Sequence, residues 1–201
     1  MIINIRGTGG SGKSWVVRQM IDKFGATTYD KSILGHILNN NTFILGPYAK
    51  EWGGGFDNLS KEERDQDNVQ RVIERQVSIF GADVVNRNHS QGQIQEIVER
   101  QSLNVIFEGL LISGIYGRYR EQARRLPDFR WVILTTPLEQ CIENTKKRRM
   151  LRGKSPEFDP TQTANKYKAV RSVCYKARVD GMKVFQVTSN EAVDLISEWI
   201  K

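Results

Sequence analysis

The chain of 201 residues is 39% hydrophobic and 26% charged, ordinary values for a globular protein that buries a core without disulfides or structural metal; at roughly 150 residues per domain, one domain over residues 1–201 is expected. It contains no run of 18 apolar residues, which excludes a membrane-spanning helix, and its opening lacks the regions of a signal peptide, so a cytoplasmic protein is expected. Net charge is +7, yet residues 144–178 carry eleven lysines and arginines against two acids, Glu157 and Asp159, which puts +9 there and −2 on the rest.

Apolar strands alternate with helical patterns along the chain, as in an α/β fold. Residues 2–5 read as a short strand, followed by a glycine-rich turn and a helix over 13–24. Residues 26–29 predict a second strand that ends at Asp30. Residues 33–38 and 42–45 flank three asparagines, Asn39 to Asn41, and predict a β-hairpin. A loop with three glycines, Gly53 to Gly55, follows.

Ser60 with Glu63 forms a capping-box signature. It opens a helix to about residue 80, with Val69, Val72, Ile73, Val77 and Phe80 on one face, and a less regular helical stretch runs on to 101. Residues 103–107 and 130–134 predict buried strands. Thr136, Pro137 and Glu139 supply an N-cap, a first-turn proline and an early acid for a helix to about 152. A long helix from Asp159-Pro160 to Gly181, a strand over 183–187 and a helix over 190–200 complete the pattern. The expected fold is a five-stranded, mostly parallel sheet with helices on both faces, a three-layer sandwich.

Gly7, Thr8, Gly9, Gly10, Ser11, Gly12, Lys13 and Ser14 match G-x-x-x-x-G-K-[ST] without a mismatch, between a predicted strand and a predicted helix. Glycines let backbone N–H groups turn inward to phosphate oxygens, and the helix N-terminus adds positive potential. Lys13 is expected at the β- and γ-phosphates of ATP, and the Ser14 hydroxyl on Mg²⁺. Such a loop needs an acid at the end of a neighbouring strand, and Glu108 supplies it, which makes Glu108 the second expected metal ligand.

Arg148, Arg149 and Arg152 close a helix just before Gly153. Arginines there complement any helix C-terminus. In P-loop nucleoside and nucleotide kinases the same position carries a lid whose arginines clamp the transferred phosphoryl. The i, i+4 spacing puts Arg148 and Arg152 on one face as catalytic candidates, with Arg149 as a nucleotide contact. An acceptor hydroxyl needs a carboxylate, and Asp30 and Asp57 are the two candidates. Asp57 follows Trp52 and Phe56, aromatics suited to stacking on a base. His36, His89, Cys141 and Cys174 read as structural. The basic segment fits either a polyanionic ligand or a solvated helical face.

With these residues in place, the chain resembles the phage 5-hydroxymethyluracil DNA kinases, a family of P-loop kinases. The resemblance rests on Ile2 to Thr8 with the phosphate loop, on Leu45 to Tyr48, and on Gly54 to Asp57. It extends through Phe107 to Ser113, Thr136 to Glu139, and Arg148 to Gly153. It implies ATP-dependent phosphorylation of the 5-hydroxymethyl group of modified uracil within DNA, a step in thymine hypermodification that shields phage DNA from host restriction. DNA containing 5-hydroxymethyluracil and a nucleoside triphosphate are the implied partners. A kinase of free nucleosides or nucleoside monophosphates shares every phosphate-loop feature. A nucleotide-driven switch protein without an acceptor is the reading from another class.

Overall fold

The computed structural model describes residues 1–29, 35–48, 54–55, 104–126 and 128–201. In chain order the first elements are β1 (Ile2–Arg6), α1 (Lys13–Phe24), β2 (Ala26–Tyr29), β3 (Gly35–Leu38), β4 (Thr42–Leu45) and β5 (Asn104–Glu108). Then come α2 (Leu110–Ser113), α3 (Gly117–Arg125), β6 (Phe129–Leu134), α4 (Leu138–Leu151), α5 (Thr161–Val179), β7 (Lys183–Val187) and α6 (Ser189–Trp199). Among the described residues, no helix is long and apolar enough to cross a membrane. The helical stretches expected between 60 and 101 lie outside the described residues.

β1 is buried from end to end, as a central parallel strand must be when helices cover both faces. It lies between β5 and β6, and the sheet runs β2-β3-β4-β5-β1-β6-β7. The β4-β5-β1-β6-β7 portion is parallel throughout, in line with the mostly parallel sheet expected, which was to have five strands. The count is corrected to seven, because β3 pairs antiparallel with both β4 and β2 and so carries the sheet outward. Asn41 makes that extension possible. Its φ of 59° is the left-handed conformation that asparagine tolerates, and its N–H donates to the Leu38 carbonyl.

Period-two alternation sorts the core into two layers. Ile3, Ile5, Ile44, Ile106, Val132 and Leu134 pack with Val16, Val17 and Met20 of α1 and Ala192 and Ile196 of α6. Ile2, Phe43, Val105, Phe107, Trp131 and Ile133 pack with Ile112 of α2, Tyr119 of α3, and Val170, Val173, Cys174 and Ala177 of α5. Cys141 and Cys174 are buried free thiols, and burial pushes Cys141 up to about 11, leaving it unreactive at neutral pH.

Three local readings change. α2 and α3 have no counterpart in the sequence pattern, because α3 presents only Tyr119 and Gln122 as buried residues and has no cap signature. Thr136 does not cap α4; its hydroxyl donates instead to the Ser11 carbonyl at 2.9 Å, and Pro137 takes the capping position. α6 begins one residue earlier than expected, fixed by a capping box between Thr188 and Glu191.

Arg6 is the least ordinary core residue, fully buried at the end of β1. Its guanidinium donates to Asn4 Oδ1 (2.6 Å) and the Ile115 carbonyl (2.7 Å), and it lies 4.2 Å from the Trp131 ring centre. Burial lowers its pKa to about 9, so it remains a cation at neutral pH. It ties β1 to the segment after α2, and thereby fixes the strand end from which the phosphate loop departs.

Candidate active site

The loop from Gly7 to Gly12 leaves the C-terminal end of β1 and delivers the chain to the first turn of α1. Two neighbours press on it from α4: the Asn144 side-chain amide donates to the Gly10 carbonyl at 2.9 Å, and a Cβ on Gly10 would run into the Cys141 carbonyl. Gly10 also has a φ of 78°, so both space and backbone conformation call for glycine. The ammonium of Lys13 is buried and donates to the carbonyls of Gly7 (2.9 Å) and Thr8 (3.1 Å). That contact bends the lysine back over its own loop, toward the concave side where anions are held.

Gly9, Gly10, Ser11, Gly12, Lys13 and Ser14 line a cleft of about 730 Å³. Gly7 and Thr8, also expected at the nucleotide, are not among the residues lining it. The Gly7 N–H faces the Ser113 hydroxyl at 3.3 Å, and the Thr8 hydroxyl donates to the Thr163 carbonyl at 3.1 Å. These two residues anchor the loop to α2 and α5.

Glu108 is the last residue of β5, in register with Ile5 of β1, which sets its carboxylate beside the phosphate loop. The Ser14 hydroxyl donates to Glu108 Oε1 at 2.7 Å. The Tyr48 hydroxyl donates to the same oxygen at 3.2 Å. Gly55 closes over this group: with a φ of 71° it sits where a Cβ would meet the Glu108 carbonyl oxygen and Oε1, each at 2.6 Å. A hydroxyl and a carboxylate oxygen at the mouth of a phosphate cradle are hard donors. That set suits Mg²⁺, which takes one or two protein oxygens and completes its shell with water and substrate phosphates.

The arginines separate by position. Arg148 and Arg152 line the same cleft as Lys13 and Glu108. Burial first, then the charge of Arg152, lowers the Arg148 pKa, while Glu108 partly offsets both. Arg149, expected as a nucleotide contact, is not among the cleft-lining residues and donates to the carbonyls of Ser155 (2.7 Å) and Glu157 (3.3 Å). Asp30 and Asp57 lie outside the described residues.

Two relatives resemble this chain along most of its length. A 5-hmdU DNA kinase of Pseudomonas phage M6 is 32% identical over 190 residues, spanning 90% of this chain and 88% of its own. The chain belongs to the 5-hmdU DNA kinase family. A second 5-hmdU DNA kinase, from Pseudomonas phage PaMx11, is 26% identical across the whole chain and 97% of its own length. No family model matches the chain. Two structures of deoxyadenosine kinase from M. mycoides, with bound dATP and dCTP, align with all of it at TM-scores of 0.41 and 0.43 and identities of 14% and 16%.

Within this 5-hmdU DNA kinase family member, three site residues escape sequence reasoning. Tyr48 holds Glu108, Asn144 holds the phosphate loop, and Gln140 in turn donates to Asn144 at 2.9 Å. Gln140 and Asn144 carried a signal in their i, i+4 spacing on a predicted helix, and Tyr48 only as part of the stretch from Leu45 that carries the resemblance.

Proposed function

We propose that the protein transfers the γ-phosphoryl group of ATP to the 5-hydroxymethyl oxygen of 5-hydroxymethyluracil within DNA. The observation that carries phosphoryl transfer is one cleft holding Lys13, the Ser14–Glu108 pair, Arg148 and Arg152 together. Membership of the 5-hmdU DNA kinase family supports the acceptor.

In this reading, backbone N–H groups of residues 9–14 and the start of α1 hold the phosphate chain. Ser14 and Glu108 hold Mg²⁺, which when bound offsets phosphate charge. Lys13 turns from its own carbonyls to the β- and γ-phosphates. Arg148 and Arg152 meet the equatorial oxygens of the group in flight, where charge is spread during transfer. Asp57, with Asp30 as the other candidate, takes or orients the proton of the acceptor hydroxyl. The product is a phosphate ester on the base, a leaving group for further modification that protects the DNA from restriction.

The test is transfer from γ-labelled ATP to DNA containing 5-hydroxymethyluracil, followed by digestion to nucleosides. Label on the 5-hydroxymethyl group is expected. Faster labelling of the free nucleoside than of DNA would overturn the acceptor.

A further inference from the structure

The phosphate loop has a second cleft on its other side, of about 610 Å³, between α5 and the C-terminal ends of β6 and β7. Its floor is apolar, from Ile133, Leu134 and Val170, and its rim carries Arg171, Tyr175 and Arg178. Ser11 and Thr136 line both clefts, so a single loop separates this groove from the nucleotide site.

The rim has a periodic origin. Lys168, Arg171, Tyr175 and Arg178 follow i, i+3, i+7, i+10 and form one exposed stripe beside the buried Val170, Val173, Cys174 and Ala177. At 1.5 Å per residue the stripe spans about 15 Å. Asp180, the nearest acid in sequence, does not neutralise it: its carboxylate is taken by the Tyr116 hydroxyl (2.6 Å) and Arg120 (2.7 Å). Tyr175 is 71% exposed and Val179 67%, so an aromatic face and an aliphatic patch stand open among cations.

Cations strung along a line differ from donors that converge on a point. Converging donors hold a single phosphate, whereas a line of charges matches phosphates repeated along a strand. An open tyrosine between two arginines adds a surface on which a base can stack. We propose that this groove is a DNA-strand site, with Arg171 and Arg178 on backbone phosphates and Tyr175 against an unstacked base. The proposal rests on the reading that the acceptor lies within DNA. It adds where the strand is gripped while the target base reaches the catalytic cleft.

The test compares wild type with Arg171→Ala/Arg178→Ala and with Tyr175→Ala, by anisotropy of a labelled single-stranded oligonucleotide over a salt series. Unchanged thermal midpoints and unchanged affinity for an ATP analogue establish that the variants fold. The double variant is expected to lose about 1.4 from the log–log salt slope, near 0.7 per phosphate contact on a single strand. Tyr175→Ala is expected to weaken binding roughly 5- to 100-fold with the slope unchanged. Wild-type affinity and slope in both variants would place the strand elsewhere and sink the proposal, leaving the acceptor reading intact. Displacement of the oligonucleotide by millimolar mononucleotide, with loss of the salt slope, would also overturn it in favour of a small-molecule site. Binding through this groove without transfer to 5-hydroxymethyluracil DNA would support the groove and overturn the acceptor.

Discussion

Tyr48 and Ser14 donate to one and the same carboxylate oxygen of Glu108, at 3.2 and 2.7 Å. Tyr48 therefore fixes the rotamer of a side chain that the proposed reaction needs at the phosphates. Removing that hydroxyl leaves Glu108 in place but less constrained. Tyr48→Phe is expected to lower turnover roughly 10- to 150-fold, the range for one hydrogen bond to a charged group, and to raise the magnesium needed for half-maximal rate. A magnesium titration at saturating ATP checks this. Superimposable curves for wild type and variant would leave Tyr48 as a packing residue only.

Glu108→Gln keeps the shape and removes the charge. Turnover is expected to fall on the order of 10²- to 10³-fold, with nucleotide affinity changed much less, and excess magnesium is expected to restore only part of the rate. Lys13→Ala is expected to cost on the order of 10³-fold or more, because positioning and electrostatics do most of the work in phosphoryl transfer. Steady-state rates beside equilibrium nucleotide binding separate the two effects. Normal rates in a folded Lys13→Ala protein would falsify the phosphate-loop assignment.

The three neighbouring arginines give a sharper contrast. Arg148→Ala and Arg152→Ala are expected to slow transfer at saturating ATP, since a clamp on developing charge acts more strongly in the transition state than before it. Arg149→Ala is expected to leave the chemical rate near wild type and to loosen the segment around Ser155 and Glu157, whose carbonyls it holds. Single-turnover kinetics and limited proteolysis read the two consequences. Equal kinetic losses in all three variants would show that α4 acts only as a scaffold.

How much of this was legible in the sequence depends on the range of the interaction. The phosphate loop was readable because its chemistry is local: glycine conformations, one lysine and one hydroxyl within eight consecutive residues. Glu108 was readable because a strand end is a topological position. The division between Arg148 and Arg149 was not, since it turns on which residues of α4 face the cleft, and packing of α4 on Gly10 decides that. The role of Tyr48 was invisible for the same reason, with 60 residues separating it from Glu108. The antiparallel strands were individually legible, but joining them to the parallel sheet depends on the β4–β5 pairing, which no local pattern encodes.

The last prediction concerns acid. His36 Nε2 accepts the Tyr48 N–H at 3.1 Å, which requires a neutral ring with its proton on Nδ1. Burial lowers the His36 pKa below its ordinary 6.5, as expected for a ring that must desolvate to charge. The unfolded chain therefore binds a proton before the folded one does. The contribution of this histidine to stability is fully present above pH 6.5 and is lost as pH falls below it through the depressed folded value. Protonation also removes the acceptor for Tyr48, so the hydroxyl that steadies Glu108 loses its backbone anchor. Thermal midpoint and turnover are expected to decline together below pH 6.5. His36→Gln keeps a neutral acceptor and is expected to flatten that acid limb, whereas His36→Phe is expected to lower activity at every pH. An acid limb of the same steepness in His36→Gln would assign the titration to another group.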